Sequence, residues 1–187
     1  MRLYLDGCSL TYGQGLPRHQ SLGQLFADRG GFEVTDLSRP GKSNLAIAVD
    51  VFNHADDYDL VILGWSFSER FTIRHHSQDL DFYPGSHGRG FDLEPQALDL
   101  DHLEMQKYFF SVFGPPFCDD LSDMLVESTI SNLCCKQKRQ INFSWQARHS
   151  MHVIHYPYIS KNQRLPDGHL NTEGMITLYN YLQNILT

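Results

Sequence analysis

The feature that most limits what this chain can fold into is an alternation of strand-like and helix-like runs through its first third. Residues 3–5 form a short apolar run closed by the turn signal Asp6-Gly7. Residues 19–29 carry Leu22, Leu25 and Phe26 at helical spacing and end in Gly30-Gly31. Residues 32–37 alternate apolar and polar, as a second strand does. After Arg39-Pro40-Gly41, Ser43 is placed to cap a helix bearing Leu45, Ile47, Val49 and Phe52. Residues 60–63 are continuously apolar, the pattern of a strand covered on both faces. Three strands joined by two helices predict an α/β chain with three α/β/α layers. Its sheet is expected to be parallel, flavodoxin-like and doubly wound, with a strand order beginning 2-1-3 and strand one interior.

The rest of the chain is less regular. At 187 residues it suits one domain, spanning 1–187, and can bury roughly 70% of its unfolded surface without staples. Residues 74–97 show no period and hold His75, His76, Pro84, Gly85, Gly88, Gly90 and Pro95. So long a stretch inside one domain reads as an insertion or lid. A helical pattern through Met105, Phe109, Val112 and Phe113 is stopped by Gly114-Pro115-Pro116. Another follows, with Leu121, Met124, Leu125, Ser128, Asn132 and Cys135 on one face. Residues 141–145 and 152–156 are strand candidates. Asn171 or Thr172 can cap a last helix with Met175, Tyr179, Leu182 and Leu186 inward.

Charge and cysteine usage exclude several classes of function. The net charge of −7 leaves no basic excess to displace phosphate counterions, so nucleic acid is not an expected partner. The cluster 136–139 is short and reads as a solvated helix end. Cys8, Cys118, Cys134 and Cys135 form no C-x-x-C pair, which argues for reduced thiols and against structural zinc. Ten histidines occur without a His-Glu-x-x-His or a cluster at ligand spacing, so no metal is expected. The opening Met-Arg-Leu-Tyr-Leu-Asp has no apolar h-region, and no run of 18 apolar residues exists. These features predict a cytoplasmic protein that does not engage a membrane.

In open parallel sheets, ligands bind beyond the carboxyl ends of the strands, where the strand order reverses. Three polar, glycine-containing loops belong there: residues 6–13, 39–44 and 64–70. Ser9, on a turn after strand one, can expose its Oγ, but a hydroxyl is a weak nucleophile without a base. Asp167-Gly168-His169, just ahead of the last helix, supplies a base and a carboxylate to orient it. Cys8 and Ser9 leave the strand on opposite sides, so only one of them can face His169. Cys8 is assigned to packing. Gly41 precedes a helix start, where backbone amides point outward and suit an anionic oxygen.

Together these segments resemble the SGNH/GDSL hydrolase family across residues 3–72 and 165–186. Gly7-Cys8-Ser9-Leu10-Thr11-Tyr12-Gly13 resembles its first block, with Ser9 at the nucleophile. Gly41-Lys42-Ser43-Asn44 resembles the second, whose glycine amide donates to the oxyanion. Asp167-Gly168-His169-Leu170-Asn171 resembles the last, with the catalytic Asp and His. Cys8 stands where the family has Asp. Gly64-Trp65-Ser66-Phe67 stands where a Gly-x-Asn-Asp is expected, so Ser66 falls at the oxyanion-hole Asn, with Asn44 a possible substitute. The Asp–His spacing is one residue shorter than the commonest form.

The resemblance implies a serine esterase acting through an acyl-enzyme on a small carboxylic ester, with a carbohydrate O-acetyl ester as one substrate class. It implies no cofactor, and a small-molecule ester or glycan as partner. Two other readings stand beside it. A flavodoxin-like module can hold a phosphate with Ser9, Thr11 and Gly13, although it gives Asp167 and His169 no task. A non-catalytic relative with an altered third block can bind a glycan.

Overall fold

Three helix starts are fixed by a short polar side chain that satisfies a free backbone amide. Ser21 accepts from Gln24 N at 3.3 Å, Ser43 from Ala46 N at 3.3 Å, and Asn171 from Gly174 N at 3.0 Å. The computed structural model describes residues 1–68, 70–75, 78–82, 115–145, 152–155 and 157–187. In chain order the elements are β1 (Arg2–Gly7), α1 (Ser9–Tyr12), α2 (Leu22–Gly30), β2 (Glu33–Asp36), α3 (Asn44–His54) and β3 (Leu60–Trp65). These are followed by β4 (Phe71–His75), β5 (Gln78–Phe82), α4 (Pro115–Cys135), β6 (Arg139–Ser144), β7 (Ile154–His155) and α5 (Thr172–Leu186).

The main sheet has the order β2-β1-β3-β6-β7, and every pairing in it is parallel. Strand one is interior, as the alternation predicts. Successive side chains of a strand point to opposite faces, which divides the core in two. Leu3, Leu5, Leu60 and Ile62 pack with Leu22 and Phe26 of α2 and with Leu178 and Leu182 of α5. Tyr4, Val61, Leu63 and Trp65 pack on the other face with Ile47 and Val51 of α3 and with Val126, Ile130 and Leu133 of α4. The layers are therefore helix, sheet, helix.

Three expectations need correction. Residues 71–75 and 78–82, partly inside the segment read as irregular, form an antiparallel two-stranded sheet. The period-two alternation of Phe71, Ile73, Leu80 and Phe82 is its sequence signal. The remainder of 74–97 and the helical pattern at 105–113 lie outside the described residues. Pro115-Pro116 opens α4, because proline in a first turn forfeits only an amide that has no helical partner. The buried face of α4 is also not the one expected. Met124 and Cys135 are exposed, whereas Cys118, Ser122, Val126, Thr129, Ile130 and Leu133 are buried. The expected face omits Ser122 and Thr129, whose hydroxyls are satisfied by Asn44 Nδ2 at 2.7 Å and by Leu125 O at 2.7 Å. Finally, among the described residues of the 152–156 candidate, Ile154–His155 alone is paired as a strand.

Candidate active site

The carboxyl ends of β1 and β3 set the position of the first loop. Gly7 and Gly64 are partners in the parallel register, and the Thr11 side chain lies over both. A Cβ at Gly7 would fall 2.3 Å from Thr11 Oγ1, and one at Gly64 would fall 2.1 Å from it. Hydrogen alone fits at either position, so α1 sits directly on the strand ends. Cys8 is fully buried and joins the core against α2 and α5. Ser9, the first residue of α1, is 3% exposed, and its carbonyl accepts from Gly13 N and Gln14 N.

The second loop is a turn with Pro40 and Gly41 at its centre. Gly41 has φ 79°, and Lys42 N donates to Arg39 O at 3.4 Å. A turn of this shape needs a positive φ at its third residue, which explains the glycine, and its own hydrogen bond does not use the Gly41 N–H. Arg39 N donates to Gly7 O at 3.1 Å, so the turn hangs from the end of β1. Two residues on, the Asn44 side chain clasps the third loop. Asn44 Oδ1 accepts from Ser66 N at 2.7 Å, and Asn44 Nδ2 donates to Ser66 O at 3.1 Å and to Ser122 Oγ at 2.7 Å. Both hydrogens of the Asn44 amide are thereby committed within the protein. Ser66 is fully buried, and Arg70 Nη1 donates to its Oγ at 3.3 Å.

The last loop is a tight turn in which Gly168 N donates to Leu165 O at 2.9 Å and Gly168 has φ 90°. That left-handed step folds His169 back over Asp167, which compensates for the short spacing between them. Asp167 Oδ1 accepts from His169 N at 3.0 Å, and Asp167 Oδ2 lies 3.0 Å from His169 Nδ1. Desolvation pushes the Asp167 carboxyl up, but the His169 amide and imidazole outweigh it and hold its pKa below the ordinary carboxylate value. His169 is buried, while the Asp167 side chain is 46% exposed.

Contacts join the segments that flank the first and last loops. A Cβ at Gly15 would lie 2.5 Å from Leu165 Cδ1, and one at Gly13 would lie 3.2 Å from Met175 Cε. Thr172 Oγ1 and Gln20 Oε1 are 2.7 Å apart.

One part of the site is not evident from the sequence. Asp6, which reads as the first residue of a turn, is fully buried at the end of β1, and Lys42 is 1% exposed beside it. Lys42 Nζ donates to Asp6 Oδ1 at 2.6 Å, to Asp6 Oδ2 at 2.7 Å and to Leu37 O at 3.0 Å, and lies 2.6 Å from Asp50 Oδ2. Burial pushes the Asp6 carboxyl up and Lys42 pulls it back, leaving its pKa at about 6. The only signal in the sequence is an acidic residue directly after an apolar strand, with a lysine in the facing loop. Among the described residues, no group of three or more His, Cys, Asp or Glu is placed to hold a metal ion, and no helix is long and apolar enough to cross a membrane.

No protein-family model matches the sequence, and no curated protein matches it. Similarity is found among solved structures. The chain superposes on the crystal structure of TesA with a TM-score of 0.60 at 11% identity, covering 100% of this chain and 98% of that one. For the psychrotrophic esterase EstA from Pseudoalteromonas sp., in a structure inhibited by monoethylphosphonate, the TM-score is 0.58 at 7% identity, covering 100% and 97%. For the lipase Lip_vut3 from a goat rumen metagenome it is 0.52 at 8% identity, covering 98% and 97%. This chain therefore has the α/β/α fold of these esterase and lipase structures, the fold that its resemblance to SGNH/GDSL hydrolases implies.

Proposed function

We propose that the protein is a serine hydrolase of small carboxylic esters, with Ser9 as nucleophile, His169 as general base and Asp167 as the carboxylate that orients His169. The observation that carries this reading is the Asp167–His169 pair, with the carboxylate against Nδ1, in a loop packed beside the one bearing Ser9. A phosphate-binding module has no use for that pair. Likeness of fold to an esterase inhibited by a phosphonate supports the same reading.

In this mechanism His169 Nε2 takes the Ser9 proton as Oγ attacks the ester carbonyl. The Ser9 and Gly41 amides, with the Ser66 hydroxyl, stabilise the oxygen that becomes negative. Collapse breaks the bond to the alcohol, which leaves with the proton from His169. Water then repeats the sequence on the acyl-enzyme and regenerates Ser9. Asn44 holds Ser66 in place instead of donating to the oxyanion, because its amide hydrogens are already used. A carbohydrate O-acetyl ester is the substrate class we favour, on the polarity of the loops.

The experiment compares wild type, Ser9→Ala and His169→Ala on 4-nitrophenyl acetate. Each single variant is expected to lose nearly all turnover. The double variant should be hardly worse than either single, because the two act as one unit. Wild-type turnover in a folded Ser9→Ala protein overturns the assignment.

A further inference from the structure

We propose that Asp6 and Lys42 are positioning residues for the hydrolysis proposed above: their buried ion pair holds the Arg39–Lys42 turn, and with it the Gly41 amide, in fixed register with Ser9.

The argument starts from position in the chain. Asp6 is three residues before Ser9, and Lys42 directly follows Gly41. Lys42 Nζ meets Asp6 on β1, the Leu37 carbonyl after β2 and Asp50 on α3. One ammonium therefore ties together the three segments that meet beside the second loop. Apolar packing of the same volume can hold these segments apart, but it cannot bind the Leu37 carbonyl and the two carboxylates together. Three directed N–H donors can, and a misplacement of about 1 Å is enough to cost ~10²-fold in rate. A lysine this deeply buried carries a heavy desolvation cost, and well-packed apolar residues are often as stable or more so. Stability therefore gives no reason for the pair, and specificity of position does.

The groups facing Asp6 complete the arrangement. Tyr4 donates its hydroxyl to Asp6 Oδ2 at 3.1 Å, and Gly7 N donates to Asp6 Oδ1 at 2.7 Å. The Tyr4 ring meets the Tyr58 ring edge-on at 5.4 Å, and the Asp50 carboxylate lies beyond Lys42. With a pKa of about 6, Asp6 stays ionised at neutral pH and loses its grip on Lys42 in mild acid.

The test compares Asp6→Asn, Lys42→Met, the apolar double variant Asp6→Leu/Lys42→Met and Asp50→Asn with wild type on 4-nitrophenyl acetate. Folding is checked by circular dichroism and thermal melting. Since neither Asp6 nor Lys42 is exposed to touch substrate, folded Asp6→Asn and the folded double variant are expected to lose ~10²-fold in kcat with KM within about twofold of wild type. The wild-type acid limb of kcat should contain an ionisation near pH 6 that Asp6→Asn removes. A folded double variant with wild-type kcat overturns the proposal. If the double variant does not fold, wild-type kcat in Asp6→Asn and Asp50→Asn does the same. Hydrogen exchange gives a readout apart from catalysis. The Arg39 and Lys42 amides, which donate to Gly7 O and Arg39 O in the wild type, should exchange at least ~10-fold faster in Asp6→Asn, with β1 and β3 unchanged. Unchanged exchange there overturns the proposal even if the wild type proves not to be an esterase, whereas an inactive wild type with faster exchange sinks only the esterase reading.

Discussion

Replacing Gly64 by alanine tests whether the close approach of Thr11 to the sheet sets the first loop. The new Cβ would lie 2.1 Å from Thr11 Oγ1 and 2.7 Å from Phe143 Cζ. Both neighbours are fully buried, so neither can swing into solvent. Overpacking of a rigid core costs about 1–3 kcal/mol, and two contacts this short place the variant at the upper end, about 3 kcal/mol. For a chain of this length, each kcal/mol lowers Tm by about 2–4 °C, which predicts a fall of about 6–12 °C. The contact also couples to the proposed function, because Thr11 is two residues from Ser9 and any shift of α1 moves the proposed nucleophile. Thr11→Ala in the same chain should recover part of the loss, since its Oγ1 has no hydrogen-bond partner among the described residues. The Phe143 contact would remain and keep the rescue incomplete. Thermal melting followed by circular dichroism is the assay, with 4-nitrophenyl acetate turnover beside it. A Tm within about 2 °C of wild type would show that the strand ends do not hold α1 as described.

Asn44→Ala removes three buried hydrogen bonds to Ser66 and Ser122 and should cost about 2–4 kcal/mol in urea unfolding, with kcat falling more than KM rises. The pH dependence of stability should carry the mark of Asp6. Its folded pKa of about 6 lies above the unfolded value near 3.9, so the folded state binds this proton more tightly. This group's contribution then falls as pH rises from about 4 to about 6, by on the order of 3 kcal/mol, and Asp6→Asn should abolish that slope in urea midpoints. Burial raises the pKa of Asp36 as well, and it acts with the same sign. Asp167→Asn should lower kcat less than His169→Ala does, because it disturbs the orientation of the base without removing it.

How much of this was legible in the sequence follows from which interactions are local. The apolar run 60–63 and the Ser43 cap are signals carried by neighbouring residues, and they appear as β3 and the start of α3. Asp167 and His169 are two residues apart, so their pairing could be read directly. The inward face of α4 could not be, because Ser122 and Thr129 are buried through hydrogen bonds that periodicity does not record. Asp6 looked like a turn residue because the lysine that neutralises it is 36 positions away. The clasp between Asn44 and Ser66 spans 22 positions, and only the parallel packing of the two loops brings them together. Local order was thus visible, whereas polar contacts between loops waited on the topology.

The most direct test of the central claim is covalent labelling with a fluorophosphonate, read by mass spectrometry. The account predicts one adduct per chain, on the peptide containing Ser9, and a much slower reaction in His169→Ala. It also predicts no adduct in Ser9→Ala. An adduct that persists in folded Ser9→Ala, or a folded wild type that neither labels nor hydrolyses 4-nitrophenyl acetate, would contradict Ser9 as an activated nucleophile.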